Sequence, residues 1–241
     1  MIQDLETKGY VVIPNFLNCE ILTALKNEYA FNKDIFLQSE SNTTTNKYKV
    51  IKSNFKFDLD SLILDIGNQT NLRIGKPYFG EFFDNQLISP GWHQDHGAYF
   101  EFRDLYNAIN CWIPIIKEKP NASGLTIVPH DIFAKLAPDL FKSSIEGKGA
   151  KSFSSLTTGK TLMKDDVNKT MTELPFCLDD IAITPELKEG DLLLLRQDII
   201  HRTQDSITPR VAISVRCHNK NAKNFGTTDF KKYIDDWNST N

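Results

Sequence analysis

"EGDLLLLRQDIIHRT", residues 189–203, decides how this chain folds. A Glu-Gly-Asp turn opens it, four leucines follow without alternation, and a second short apolar run ends on His201. An apolar run this short, bounded by turn residues, reads as a buried strand and is far too short to span a bilayer. The same cadence recurs from about Leu72 onward, in "EFFDNQLI" (81–88), "INCWIPII" (109–116), "GLTIVP" (124–129) and "RVAISVRCH" (210–218), each broken off by Pro, Gly or Asn. Short strands at that spacing predict a mainly β architecture, a sandwich or barrel with its helices packed outside.

Upstream, "YVVIP" (10–14) reads as a further strand, and Asn18 caps a helix in which Ile21, Leu22, Leu25 and Tyr29 fall at helical spacing. "DLDSLILDIGNQ" (58–69) offers a second short helix. From about 131 to 185 the strand cadence is interrupted by a Ser-, Thr- and Lys-rich stretch. It is expected to be a long inserted loop, with 141–168, which contains Gly147, Gly149 and Gly159, acting as a mobile lid.

With 40% hydrophobic residues in 241, the chain can bury a large core, and one domain over 1–241 is expected. A formal net charge of -3 offers no basic face for nucleic acid, and no Lys/Arg block suits an anionic membrane surface. A small-molecule partner is the remaining class. The N-terminus has an acidic start and no continuous apolar run, so a cytoplasmic location is expected. Cys19, Cys111, Cys177 and Cys217 lack C-x-x-C spacing and read as buried free thiols rather than a zinc or redox site.

The chemistry concentrates in "GWHQDHGAYF", residues 91–100. In an extended segment side chains alternate, so His93 and Asp95 share a face while Gln94 points away. A metal needs a third ligand from elsewhere, and His201 supplies a second imidazole. Two histidines and a carboxylate on one face of an octahedron leave positions open, which suits non-haem Fe(II) holding a cosubstrate and oxygen. The same three residues are compatible with a divalent-metal hydrolase, or with a non-catalytic, cupin-like jelly-roll binding module.

Taken in order, "GYVVIPNFL" (9–17), "WHQD" (92–95), "NCWIPI" (110–115), "GLTIVPH" (124–130), "EGDLLLLRQDIIH" (189–201) and "RVAISVRCH" (210–218) resemble the phytanoyl-CoA dioxygenase family of Fe(II)/2-oxoglutarate oxygenases. The resemblance implies a double-stranded β-helix, or jelly roll, with flanking N-terminal helices. It further implies Fe(II) held by His93, Asp95 and His201, and 2-oxoglutarate whose far carboxylate pairs with Arg210, with Gln94 and Trp112 lining the cosubstrate pocket. The activity implied is a dioxygenase that takes O2 and hydroxylates a small organic substrate. Guanidinium is the suitable partner because its planar fork matches a carboxylate. A hydrolase or simple binder has no need of it, so Arg210 separates the readings.

Arg216 shares the Arg210 face of "RVAISVR", but six strand residues at roughly 3.3 Å each separate the two, so a single short dicarboxylate can reach only one. Arg210 is the one the resemblance selects. The remaining histidines read as supporting rather than ligating: His96 outside the ligand face, His130 in a turn, His218 structural. Trp92, Tyr99, Phe100 and Phe102 read as core aromatics, and Arg103 as a surface ion pair.

Overall fold

The four leucines fail to alternate because both faces of their strand are covered. In the computed structural model, which describes residues 2–38, 61, 67, 74–85, 90–95, 108–145, 151–165 and 169–219, they form β8 (Leu192–Arg196), buried at every position. Leu192 and Leu194 join one hydrophobic core and Leu193 and Leu195 another, so the strand is a partition between two layers.

The first sheet is antiparallel throughout. Besides β8 it contains β1 (Tyr10–Ile13), β2 (Ile74–Asp84), β3 (Ala108–Lys117) and β10 (Arg210–Asn219), in the order β1-β8-β3-β10-β2. Its outer face, with Val211, Ile213 and Val215 of β10 and Cys111, Ile113 and Ile115 of β3, is covered by α2 (Cys19–Gln38) through Leu25 and Tyr29. Asn18 caps that helix, its Oδ1 accepting from the Ile21 N–H at 2.8 Å, as its sequence position predicts. A shorter helix, α1 (Ile2–Lys8), precedes β1 and has no clear signal in the sequence. The helix expected over 58–69 lies, apart from Ser61 and Gly67, outside the described residues.

The second sheet is assembled from distant pieces. β4 (Leu125–Val128) pairs with β9 (Ile200–Thr203), and β5 (Lys151–Ser155), β6 (Thr161–Asp165) and β7 (Met171–Leu174) form a meander. The 92–94 segment joins the two groups, because His93 bridges His201 on one side and Ser152 on the other. The order is therefore β4-β9-(92–94)-β5-β6-β7. The two sheets face each other across Trp112, Leu125, Ile127, Leu193, Leu195 and Ala212, which makes the architecture the expected jelly roll.

The stretch 131–185 is a correction to the expectation of a loop. It begins with α3 (His130–Leu136), continues through a short turn at Pro138–Leu140 and a π-helical turn at Phe141–Ile145, and then supplies three strands. Phe133, Phe141, Ile145, Met163, Leu174 and Leu178 pack there with Trp92, Val128 and Ile200 on the outer face of the second sheet. Some of the polar residues that suggested a loop are exposed strand positions, such as Lys164 of β6, while others, Lys151 and Thr161, are buried in the strands. The described parts of the stretch form a structured wing rather than a loop; residues 146–150 and 166–168 of the part expected to act as a lid lie outside the described residues. The free-thiol reading fits Cys111 and Cys217, which are buried, while Cys19 is exposed.

This packing is testable by truncation. Leu174, in the wing, and Leu194, in the partition strand, are both fully buried. Leu174→Ala is expected to cost about 2–5 kcal/mol in a denaturant melt, comparable with Leu194→Ala. A loss below about 0.5 kcal/mol, the range of surface substitutions, would return 151–174 to the status of a loosely attached lid.

Candidate metal centre

The inner face of the second sheet turns polar where the 92–94 segment meets β9. His93 and His201 are a directly hydrogen-bonded pair, each N–H donating to the other's carbonyl at 3.0 Å, so their side chains leave the sheet on the same side. Their ring centroids lie 4.3 Å apart. The His93 Nδ1 lies 2.7 Å from the Gly91 carbonyl and the His201 Nδ1 3.1 Å from the Ile199 carbonyl. A carbonyl can only accept, so each Nδ1 carries the proton and each Nε2 keeps its lone pair.

Asp95 completes the group. One ligand atom from each of His93, Asp95 and His201 lies within 4.8 Å of the others. Burial alone would raise the Asp95 pKa; the Arg216 guanidinium, then His201, His93 and a hydrogen bond from Asn110 outweigh it and hold the carboxyl at about 2. Its Oδ1 accepts from Arg216 Nη2 at 2.8 Å and its Oδ2 from Asn110 Nδ2 at 3.2 Å. Two imidazoles that can ligate through Nε2 and an ionised carboxylate fit a divalent metal of the iron class.

The three residues open into a cleft of about 460 Å³, its mouth included, that also holds Asn110, Trp112, Ser214, Arg210 and Arg216. Both arginines of β10 therefore face one cavity, as alternation requires, and they occupy different parts of it. Arg216 is engaged with Asp95. Arg210 is 2% exposed, and its guanidinium lies against the Trp112 ring at 4.9 Å, while its Nε has no hydrogen-bond acceptor among the described residues. Burial pushes its pKa down to about 10 despite Asp84 and Asp205 nearby. Lys117, its register partner on β3, is buried too, its Nζ donating to the Pro120 carbonyl at 2.8 Å.

The turn before β10 explains how Arg210 arrives there. Asn85 exchanges bonds with the Arg210 backbone, donating from its N–H to the carbonyl and accepting from the Arg210 N–H at its Oδ1, while its Nδ2 donates to the carbonyls of Asp205 and Thr208. Asp205 in turn accepts from the backbone N–H groups of Ser123, Ile207 and Thr208. The loop that sets Arg210 is thus fully tied.

Gln94 is the residue the structure does not bring to the cavity. It is completely buried on the opposite face, where its Nε2 donates to the Asp198 carbonyl. The alternation that puts His93 and Asp95 together turns it away. Asp198 is itself held by a two-point ion pair with Arg196. Trp112 does line the cavity. His130 is buried at the start of α3, its Nε2 3.7 Å from Asp198 Oδ1, well away from a ligand role. Trp92 packs behind the site under Arg202. His96, Tyr99, Phe100, Phe102 and Arg103 lie outside the described residues, as does the side chain of His218.

Asn110 and Ser214 were not singled out from the sequence, although each is a lone polar residue inside an apolar strand. Ser214 Oγ donates to Asn110 Oδ1 at 2.8 Å, fixing the amide so that its NH2 faces Asp95.

No protein-family model and no curated protein matches the chain. Solved structures do. It is similar to the non-heme alpha-ketoglutarate-dependent carbocyclase SnoK from nogalamycin biosynthesis, at 13% identity and TM-score 0.58 over 96% of this chain and 88% of that one. It is similar also to the epimerase SnoN of the same biosynthesis, at 14% identity and TM-score 0.59 over 95% and 85%. A SnoN complex with Fe3+, alpha ketoglutarate and nogalamycin RO gives 16% identity and TM-score 0.61 over 97% and 87%. At such identities the likeness concerns the fold.

The environment of Arg210 yields a prediction on stability. A buried guanidinium whose Nε meets no acceptor among the described residues is a cost to the ligand-free protein, and an apolar side chain of similar length removes it. Arg210→Met is expected to raise the stability of the ligand-free protein by about 1–3 kcal/mol in a denaturant melt. A loss of stability would mean that Arg210 is satisfied within the fold.

Proposed function

We propose that this chain is an Fe(II)- and 2-oxoglutarate-dependent oxygenase of the phytanoyl-CoA dioxygenase type, a single domain over 1–241 that hydroxylates a C–H bond of a small organic substrate. What carries the reading is that one cavity contains both a His-Asp-His group and, apart from it, a buried arginine with no acceptor for its Nε among the described residues. A hydrolytic metal site or a simple metal-binding module needs the first and has no use for the second.

His93 and His201 would bind the metal through Nε2, and Asp95 through a carboxylate oxygen. Arg210 would pair with the far carboxylate of 2-oxoglutarate, with the Trp112 ring as the flat wall behind it. Bound there, iron and its cosubstrate supply oxidising power from O2, releasing succinate and CO2. The chain's own contribution is placement: backbone-paired imidazoles, a carboxylate held ionised, and a fixed cation at the far end of the cavity. Asp95 fills the position that a halide would need, which favours hydroxylation over halogenation. The solved neighbours are a carbocyclase and an epimerase, and ring closure or epimerisation begins with the same hydrogen abstraction. Among the described residues no helix is long and apolar enough to cross a membrane.

Purified protein given Fe(II), oxygen and 2-oxoglutarate is expected to release succinate slowly even without its substrate. His93→Ala and His201→Ala should lose both retained iron and succinate formation. Arg210→Ala should keep the iron and raise the 2-oxoglutarate requirement by at least about 30-fold, since a desolvated carboxylate left unpaired costs about 2–5 kcal/mol. Undiminished iron retention in both histidine variants would remove the reading, and an unchanged 2-oxoglutarate requirement would remove Arg210 from it.

A further inference from the structure

We propose that Arg216 is the positioning residue for the carboxylate ligand, clamping Asp95 from the opposite sheet. The inference rests on the reading of His93, Asp95 and His201 as a metal site, and it concerns what makes the third ligand different from the other two.

The histidines are set by their own sheet. Each is fixed by the backbone pairing between the 92–94 segment and β9, and each ring is locked by a carbonyl at Nδ1. Asp95 lies past the end of that pairing and has no backbone hydrogen bond to a described residue. Its carboxylate is held instead by side chains of the first sheet. Arg216 of β10 donates to Oδ1 at 2.8 Å, and Asn110 of β3, its direct register partner, donates to Oδ2 at 3.2 Å. Ser214, two residues along the same face of β10, fixes Asn110. A carboxylate on a short, rotatable side chain is thereby held at both oxygens from across the cavity.

The bond lengths separate the two contacts. Oδ1 carries the shorter, charge-assisted bond, whereas Oδ2 has only the longer, neutral one and remains the better donor to a cation. Arg216 thus presents Asp95 to the metal through Oδ2. It also carries a positive charge, which by itself repels a divalent ion. Orientation and repulsion act in opposite directions on metal affinity, and that opposition makes the role measurable apart from general stability.

The test is a double-mutant cycle read by calorimetric Ni(II) binding to the full-length metal-free protein, since nickel binds imidazole tightly enough to follow after the carboxylate is gone. Arg216→Gln is expected to weaken Ni(II) binding by about 10-fold or more, the range for residues that orient a ligand. In the Asp95→Ala background the same replacement should leave binding unchanged or strengthen it, because only the repulsion is then removed. Asn110→Ala, which alters no charge, should weaken binding in the wild-type background alone. Arg216→Lys, which keeps the charge and loses the fork, should recover only part of the loss, and with Asn110→Ala it carries the cycle if Arg216→Gln does not fold. Equal losses in both backgrounds, or full nickel affinity in Arg216→Gln while His201→Ala loses it, would overturn the clamp. Full affinity in His201→Ala as well would remove the metal site itself.

Discussion

The two hydrogen bonds exchanged between the backbones of His93 and His201 are the constraint on which the rest depends. They join residues 108 positions apart in the chain, and with the pairing of 92–94 to β5 on its other side they link two groups of strands into one sheet. Because the pair is directly opposed, both imidazoles emerge on one face, and the period of the strand adds Asp95 while sending Gln94 to the other side. The wing continues that sheet: Gln94 N–H donates to the Lys151 carbonyl at 3.1 Å and Phe153 N–H to the Trp92 carbonyl at 3.3 Å. The segment with two of the three proposed ligands is thus a central strand, braced on both sides, rather than an edge loop.

Charge is distributed through the cavity with equal economy of means. Asp95 is buried and answered by Arg216 and Asn110, which keeps it ionised. Arg210 is buried and, among the described residues, not answered at its Nε; an aromatic face lies against it, with Asp84 and Asp205 acting only as nearby charges. A fold that leaves a cation in that condition loses stability unless something else supplies an anion, and a dicarboxylate bound at one end by a metal would do so at the other. The proposed cosubstrate is in that sense the missing half of an ion pair.

Much of this was legible in the chain. The leucine run, the strands expected at 109–116, 124–129 and 210–218 and the Asn18 cap follow from local rules and appear where those rules put them, whereas the strand expected over 81–88 runs instead from Ile74 to Asp84, with 86–88 outside the described residues. The alternation at 93–95 places the histidine and carboxylate together, and it should equally have removed Gln94 from the cavity list; the family resemblance overrode it. The wing was missed because its strands are short, half-exposed and rich in Ser, Thr and Lys, so their buried half, Met163 and Leu174, is too sparse to register as a pattern. Asn110 and Ser214 escaped because a hydrogen-bond chain across two strands is a matter of register, which sequence alone does not reveal. The separation of Arg210 from Arg216 along β10 was read as letting a single short dicarboxylate reach only one of them; it left open what the other does, and the cavity running along the strand puts Arg216 on Asp95.

The most direct test of the central claim, that one cavity holds a metal at the histidine end and 2-oxoglutarate reaching to Arg210, is the visible spectrum of the protein mixed with Fe(II) and 2-oxoglutarate in the absence of oxygen. The account predicts a weak absorption band that appears only when metal and cosubstrate are both present, is absent from His201→Ala, and needs far more 2-oxoglutarate to develop in Arg210→Ala. No band at saturating Fe(II) and 2-oxoglutarate, in protein shown to retain the iron, would contradict it and leave a metal-binding jelly roll of another kind.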